Sequence, residues 1–245
     1  MKIAVIADIH GNLAALEAVL ADLDRHRVDM VVNLGDLLSG PLQPAETANR
    51  LMELNVPTIA GNHERQLLTL NLDQMGASDS YTHSCLAERH RAWLATLPTT
   101  LWIDRDVFLC HGTPDSDLTY FLETVEPSGA REASDGDVEA RAGNVQAALI
   151  LCGHTHIARS RKISGERLVV NPGSVGLPAY DDDRPFPHVM EAGSPNARYA
   201  ICSRDSAGHW EAKLTSITYD WEAAAHLADQ RGRPDWAVAL RTGRM

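Results

Sequence analysis

Five short apolar runs in this chain each stop at residues that bind metals or protons. The clusters are Asp8-Ile9-His10, Gly35-Asp36, Gly61-Asn62-His63, His111-Gly112 and Gly153-His154-Thr155-His156. A short apolar run bounded by turn formers reads as a buried strand. Residues 2–7, 30–33 and 56–60 are therefore expected strands. Between the first two, Leu13, Leu16, Leu20 and Leu23 form a stripe at helical spacing behind Asn12, a good N-cap. Residues 45–54 look helical as well, with Pro44 suited to a first turn. Strand, helix, strand, helix, strand implies an α/β fold with a parallel sheet. Sites on such sheets gather beyond the carboxyl ends of the strands. The five clusters should therefore meet at one edge.

Further along, residues 71–84 are polar and rich in turn formers, which predicts a loop, and 85–96 look helical. Residues 108–110 and 145–152 read as strands. Residues 113–137 carry many Asp, Ser, Gly and Pro, which predicts a long surface excursion of the kind used as lids. Runs at 157–163, 167–171, 197–203 and 209–218 suggest antiparallel strands. Helices are expected over 220–230 and 234–241, split by Gly232-Arg233-Pro234. No repeat, low-complexity tract or linker interrupts the chain. The expectation is one domain over 1–245, closed by the helices of 220–241.

A chain of 245 residues should bury roughly 70–75% of its unfolded surface, enough for a core without staples. Its 22 basic and 33 acidic residues give a net charge of −11. Such a surface repels phosphate backbones, so general nucleic-acid coating is not expected. Cys85, Cys110, Cys152 and Cys202 form no CxxC pattern and read as reduced, non-catalytic thiols. The first apolar run, Ile3 to Ala7, is too short for a signal segment, and no stretch is long enough for a membrane helix. A soluble cytoplasmic protein without membrane contact is expected.

Asp8 and His10 are two apart, so an extended chain would point both the same way, about 6.5–7 Å apart along the backbone. His154 and His156 repeat that spacing. Taken singly the clusters are ordinary: a helix cap, a turn, a surface strand. Together they offer Asp8, His10, Asp36, Asn62, His111, His154 and His156, a set of oxygen and imidazole donors without thiolate. That set suits Mn²⁺, Fe²⁺, Zn²⁺, Co²⁺ or Ni²⁺ and discriminates little among them. Seven side chains are too many for one ion and fit two ions that share a carboxylate.

The order Asp-x-His, Gly-Asp, Gly-Asn-His-Glu, His-Gly, Gly-His-Thr-His resembles that of the calcineurin-like metallophosphoesterases over about residues 1–176. The stretch from Asp8 to Leu20, the stretch from Val170 to Gly176 and the C-terminal tail are similar to the small bacterial, phosphodiesterase-like branch. The resemblance implies a four-layer αββα sandwich of two mixed sheets flanked by helices. It also implies that Asp8, His10 and His156 hold one metal, that Asn62, His111 and His154 hold a second, and that Asp36 bridges. His63 would face the substrate.

Two divalent ions bring the pKa of a bridging water towards about 7, and the hydroxide attacks phosphorus in line. Manganese is the expected activator in assay. His63, beside Asn62, can supply the proton that a leaving alkoxide needs. Family phosphatases carry an arginine soon after Gly-Asp and another just before Gly-Asn-His-Glu. Here the segments run Gly35-Asp36-Leu37-Leu38 and Ile59-Ala60-Gly61, so that bidentate clamp on a phosphate dianion is missing. Arg65 falls after the motif and reads as a surface residue. A small phosphodiester is the expected substrate. The alternatives are a nucleotide phosphomonoesterase or pyrophosphohydrolase, or a non-catalytic scaffold on the same fold. Asn12, Asn171, Gly173 and Ser174 are candidate substrate-binding residues, although Asn12 also suits a helix cap and Asn171-Pro172-Gly173-Ser174 a tight turn.

Overall fold

The computed structural model describes residues 1–245. In chain order the first elements are β1 (Lys2–Ile6), α1 (Leu13–Leu23), β2 (Met30–Asn33), α2 (Pro44–Leu54), α3 (Asn62–Thr69), α4 (Ala77–Cys85) and α5 (Glu88–Leu94). Next come β3 (Thr100–Ile103), β4 (Val107–Cys110), β5 (Glu123–Glu126), β6 (Gly129–Glu132), α6 (Asp135–Ala142), β7 (Leu149–Leu151), β8 (Arg159–Ile163) and β9 (Arg167–Asn171). The chain ends with β10 (Ala179–Asp182), β11 (His188–Glu191), β12 (Ala197–Arg204), β13 (Trp210–Ile217), α7 (Trp221–Gln230) and α8 (Pro234–Thr242).

Two mixed sheets dominate. One has the order β13-β12-β1-β2, the other β3-β4-β7-β9-β8. Strand β1 runs parallel to β2 and antiparallel to β12, with Val5 opposite both Val32 and Ala200. In the second sheet β4, β7 and β9 are parallel, and β3 and β8 close the edges antiparallel.

Alternation along each strand builds the layers. Ile3 and Val5 of β1, Val107 and Leu109 of β4, and Leu149 and Leu151 of β7 share one apolar core between the sheets. Their neighbours point the other way. Ala4 and Ile6 join Leu16, Val19 and Leu51 under α1 and α2. Phe108, Cys110 and Ile150 join Val138 and Ala142 under α6. Helices, sheet, sheet and helix thus stack in four layers, as expected. Helices α7 and α8 pack their alanines and Trp236 against Leu42, Leu177 and Ala179.

Three local expectations need correction. Residues 56–60 make no full strand: Thr58 forms a single parallel bridge to Asn33. Pro57 has no N–H to donate, and Ala60 turns away to bond the carbonyl of Pro98. Residues 77–85 form α4 where a loop is predicted, because Thr82 bonds the backbone of Leu38 and Gly40. The stretch 113–137 holds the β5–β6 hairpin and the start of α6. All four cysteines are free. Cys110, Cys152 and Cys202 are buried, and burial pushes their thiols up, out of the reactive range.

Leu151 is fully buried between the sheets. Truncation there leaves a cavity that the parallel neighbours β4 and β9 cannot collapse into. Leu151→Ala is expected to lose about 2–5 kcal/mol in urea unfolding, with an unchanged slope against denaturant.

Candidate metal centre

The five clusters do converge, four from the ends of strands in both sheets and Gly61-Asn62-His63 from the start of α3. The convergence does not use the extended geometry that the Asp-x-His spacing suggests. Asp8, His10, Asp36, His154 and His156 all have left-handed backbone, with φ between 53° and 69°. For a residue with a side chain, that conformation costs roughly 1–2 kcal/mol. Backbone bonds hold each turn. Asp8 N–H donates to Gly35 O, His10 N–H to Asp36 O, and Gly153 N–H to His111 O, at 3.0, 3.0 and 2.7 Å. Gly61 is needed for proximity, since a Cβ there would collide with the Asp36 carboxylate.

The side chains fall into two groups of three whose ligand atoms lie within 4.8 Å of one another. These are Asp8, His10 and His156, and Asp36, His111 and His154. His111 Nε2 joins Asn62 to the second group at 3.1 Å from its Oδ1, and stands 3.1 Å from Asp36 Oδ2. His10 Nε2 and His156 Nε2 are 3.1 Å apart. All seven predicted ligand residues are therefore together.

The carbonyl acceptors behind them orient the rings. His10 Nδ1–H donates to Ser39 O and His111 Nδ1–H to Leu34 O, both at 2.7 Å. Each ring thereby turns its Nε2 towards the cluster. His154 uses Nε2–H on Leu118 O at 3.2 Å, which turns its Nδ1 inward. Carbonyl bonds of this kind orient metal-binding histidines. Burial, then the charge of His156, brings His10 down to about 4. Burial and His111 bring His154 to about 3. Against the pull of burial, the Asp36 carboxylate lifts His111 to about 10. Likewise His111 and His63 hold Asp36 well below the usual range although burial opposes it.

A divalent cation fits these residues. Asp8 Oδ2 and His156 Nδ1 are buried without a hydrogen-bond partner. A carboxylate oxygen left so in a buried, imidazole-lined site is a ready cation ligand.

His63 is in the first turn of α3. Its Nδ1 is 2.8 Å from Asp79 Oδ1, which also accepts from Ser39 Oγ at 2.6 Å. Burial pulls the imidazole down, but Asp36 and Asp79 raise it to about 9. The group stands at the wall of an open cleft of about 310 Å³, along with His10, Asp36, Asn62, His154 and His156.

The predicted substrate residues are elsewhere. Asn12 caps α1 and donates to Gly176 O and Tyr219 Oη. Asn171 donates to Gly153 O and Thr155 Oγ1, and Ser174 Oγ donates to Asp8 O. Gly173 packs against Arg198 and Ala158. None of the four lines the cleft; their polar atoms are spent on holding the ligand turns. Arg65 is occupied by a two-pronged ion pair with Asp117.

Such motif order, on such a scaffold, can be compared with known proteins. The profile of the calcineurin-like phosphoesterase superfamily domain matches residues 1–190. The chain belongs to the calcineurin-like phosphoesterase superfamily. It is 24% identical over 257 residues to protein MJ0912 of Methanocaldococcus jannaschii, covering 96% of this chain and 94% of that one. A metallophosphoesterase of Sphaerobacter thermophilus shares the fold with a TM-score of 0.73 and 24% identity, over 98% of both chains. Protein PH1004 of Pyrococcus horikoshii OT3 does so with 0.76 and 20%, over 99% of this chain and 98% of that one.

Several residues of this calcineurin-like site escape sequence reasoning. Asp79 and Tyr180 leave no sequence signal. The Tyr180 hydroxyl donates to His154 O at 3.1 Å and its ring is 4.7 Å from that of His156. Glu64 did leave one, as an acidic residue three positions past the helix cap Gly61. Its buried carboxylate accepts three N–H groups, those of Asp36, Leu37 and Gly61, at 2.8–2.9 Å. Burial, then Asp36, raises its pKa to about 7. It ties the Asp36 turn to the Asn62 helix. Glu64→Gln replaces one acceptor oxygen by a donor that faces N–H. Metal affinity, measured by titration calorimetry, should fall about 10–100-fold while the protein stays folded.

Proposed function

We propose that the protein is a phosphodiesterase that works with two divalent transition-metal ions. The observation that carries this reading is the pair of three-residue ligand groups at the floor of one cleft. Asp8, His10 and His156 would hold one ion, Asn62, His111 and His154 the other, and Asp36 would serve both. Mn, Fe, Zn, Co and Ni all suit the donor set, and manganese is the first to try in assay. When bound, such ions supply Lewis acidity at the phosphoryl oxygens and make water a stronger acid.

The overall change is water attack at phosphorus and departure of an alcohol. The chain itself contributes order and a proton. Left-handed turns and backbone bonds fix the ligand side chains before substrate arrives, so little reorganisation is left for the reaction. His63 gives its Nε2 proton to the departing oxygen, and Asp79 at Nδ1 orients the ring and favours its charged form. Ser39 ties that carboxylate to the His10 turn. No arginine stands soon after Asp36 or just before Gly61 to clamp a phosphate dianion, which supports singly charged diesters as substrates.

Asp36→Asn should retain the fold, weaken both ions and nearly abolish turnover of bis(p-nitrophenyl) phosphate. Two tightly held metals with normal turnover in that variant would remove the bridge. A wild type that binds metal yet turns over no diester or monoester would point to the scaffold reading. Preferred cleavage of monoesters or pyrophosphates would point to the nucleotide hydrolases.

His63→Ala separates leaving-group chemistry from charge. A nitrophenolate departs unaided, whereas an alkoxide needs the proton. The variant should keep its metals and much of its aryl-diester rate, and lose about 10²–10⁴-fold on alkyl diesters. Equal losses on both substrates would exclude proton donation.

A further inference from the structure

The residues around the cleft are mostly acidic or neutral. Asp181 and Asp182 come from β10 and Asp235 from α8. Among the lining residues one side chain is a lysine or arginine, and it is Arg233. This residue comes from the tail, beyond the stretch 1–190 that the superfamily profile covers.

Arg233 is held in place. Its Nε–H donates to Asp235 Oδ1 at 3.0 Å, one NH2 hydrogen to Asp235 Oδ2 at 2.6 Å, and one NH1 hydrogen to Ser78 Oγ at 2.9 Å. The guanidinium carbon is 5.6 Å from the centre of the Trp236 ring. That ring stands edge-on to His10, with centroids 5.9 Å apart. A guanidinium has five N–H donors. Three are committed here and two are not. Ser78, as acceptor from Arg233, still has its own O–H to give.

The position of this donor set matters as much as its charge. Trp236 contacts both Arg233 and His10, and Arg233 is in neither ligand group, so the guanidinium is placed beside the centre rather than within it. It is placed for something further out on the same substrate. The carboxylates of Asp181 and Asp182 disfavour an anion elsewhere along the cleft. Asp235 offsets part of the Arg233 charge, and that leaves the fork geometry as the main source of selectivity.

We propose that Arg233, with Ser78, is the specificity-determining residue of the cleft, binding a second anionic group, a phosphate or carboxylate, on the non-leaving arm of the phosphoester substrate. This rests on the phosphodiesterase reading for what happens at phosphorus, but not for the binding of the second anion.

The test compares an anionic arm with a neutral one. Binding of carboxyethyl methylphosphonate and of ethyl methylphosphonate to the protein as purified is measured by calorimetry, with a phosphoethyl arm as the third probe. Wild type should favour the charged arms about 10–100-fold, the value of one or two charge-assisted hydrogen bonds. In Arg233→Gln the ratio should fall below about twofold, and in Arg233→Lys it should fall between the two, since a point charge lacks the fork. The same preference should appear in KM, not kcat, for p-nitrophenyl esters with those arms. A wild-type ratio near one overturns the proposal. So does a ratio that survives in Arg233→Gln, including the case where both ligands weaken alike because α8 has shifted. If no ester is hydrolysed but the binding ratio behaves as stated, the phosphodiesterase reading fails and the anion site stands.

Discussion

Everything in the cleft depends on five ligand residues held in left-handed backbone. Sterics oppose that conformation at each of them, by roughly 1–2 kcal/mol. Five such positions could not persist on a loop. They persist here because each turn follows a strand, β1, β2 or β7, that is paired within its sheet and contributes side chains to the core between the sheets. The carbonyl of Asp8 alone receives the Gly176 N–H and the Ser174 hydroxyl. Its carboxylate receives the His154 N–H. The centre is thus knitted from segments that would otherwise have no reason to meet.

The arrangement also divides labour between the layers. Residues at the floor present their ligand atoms, and carbonyls behind them orient the rings. Glu64, Asn171 and Ser174 touch no open space and set the turns from below. His63 and Arg233 sit at the wall, each steadied by a single aspartate, Asp79 or Asp235. A steadied cation is one whose rotamer entropy is already lost before a ligand arrives.

That the candidate ligand residues meet was legible in the sequence because most of them follow apolar runs that form strands, and strand ends of an α/β fold share an edge; Asn62 follows a run that makes only a single bridge. The helical stripe after Asn12 and the closing helices were legible for the same reason, their apolar period. Backbone conformation was not. Nothing in Asp8-Ile9-His10 says that the chain turns left-handed rather than running extended. Helix α4 was illegible because Ser78, Asp79, Ser80 and Thr82 carry no apolar period; their partners Ser39 and Gly40 lie some 40 residues away. Asn12, Asn171, Gly173 and Ser174 lie outside the cleft lining, since a polar residue near a motif serves equally well above or below the ligands. The β10–β11 hairpin, with three charged residues among the eight of its strands, showed no alternation to find.

One consequence concerns how the centre comes into being. His10 and His156 face one another across 146 residues of chain. Closing so long a loop is entropically unfavourable until the sheets have packed. Contacts of that span belong to slow, late steps of folding. A chain still emerging during synthesis, before His154 and His156, carries only two of the three residues of each candidate ligand group. A cation that needs all three residues of a group would be captured only once the whole architecture is present, as a seal on the finished fold.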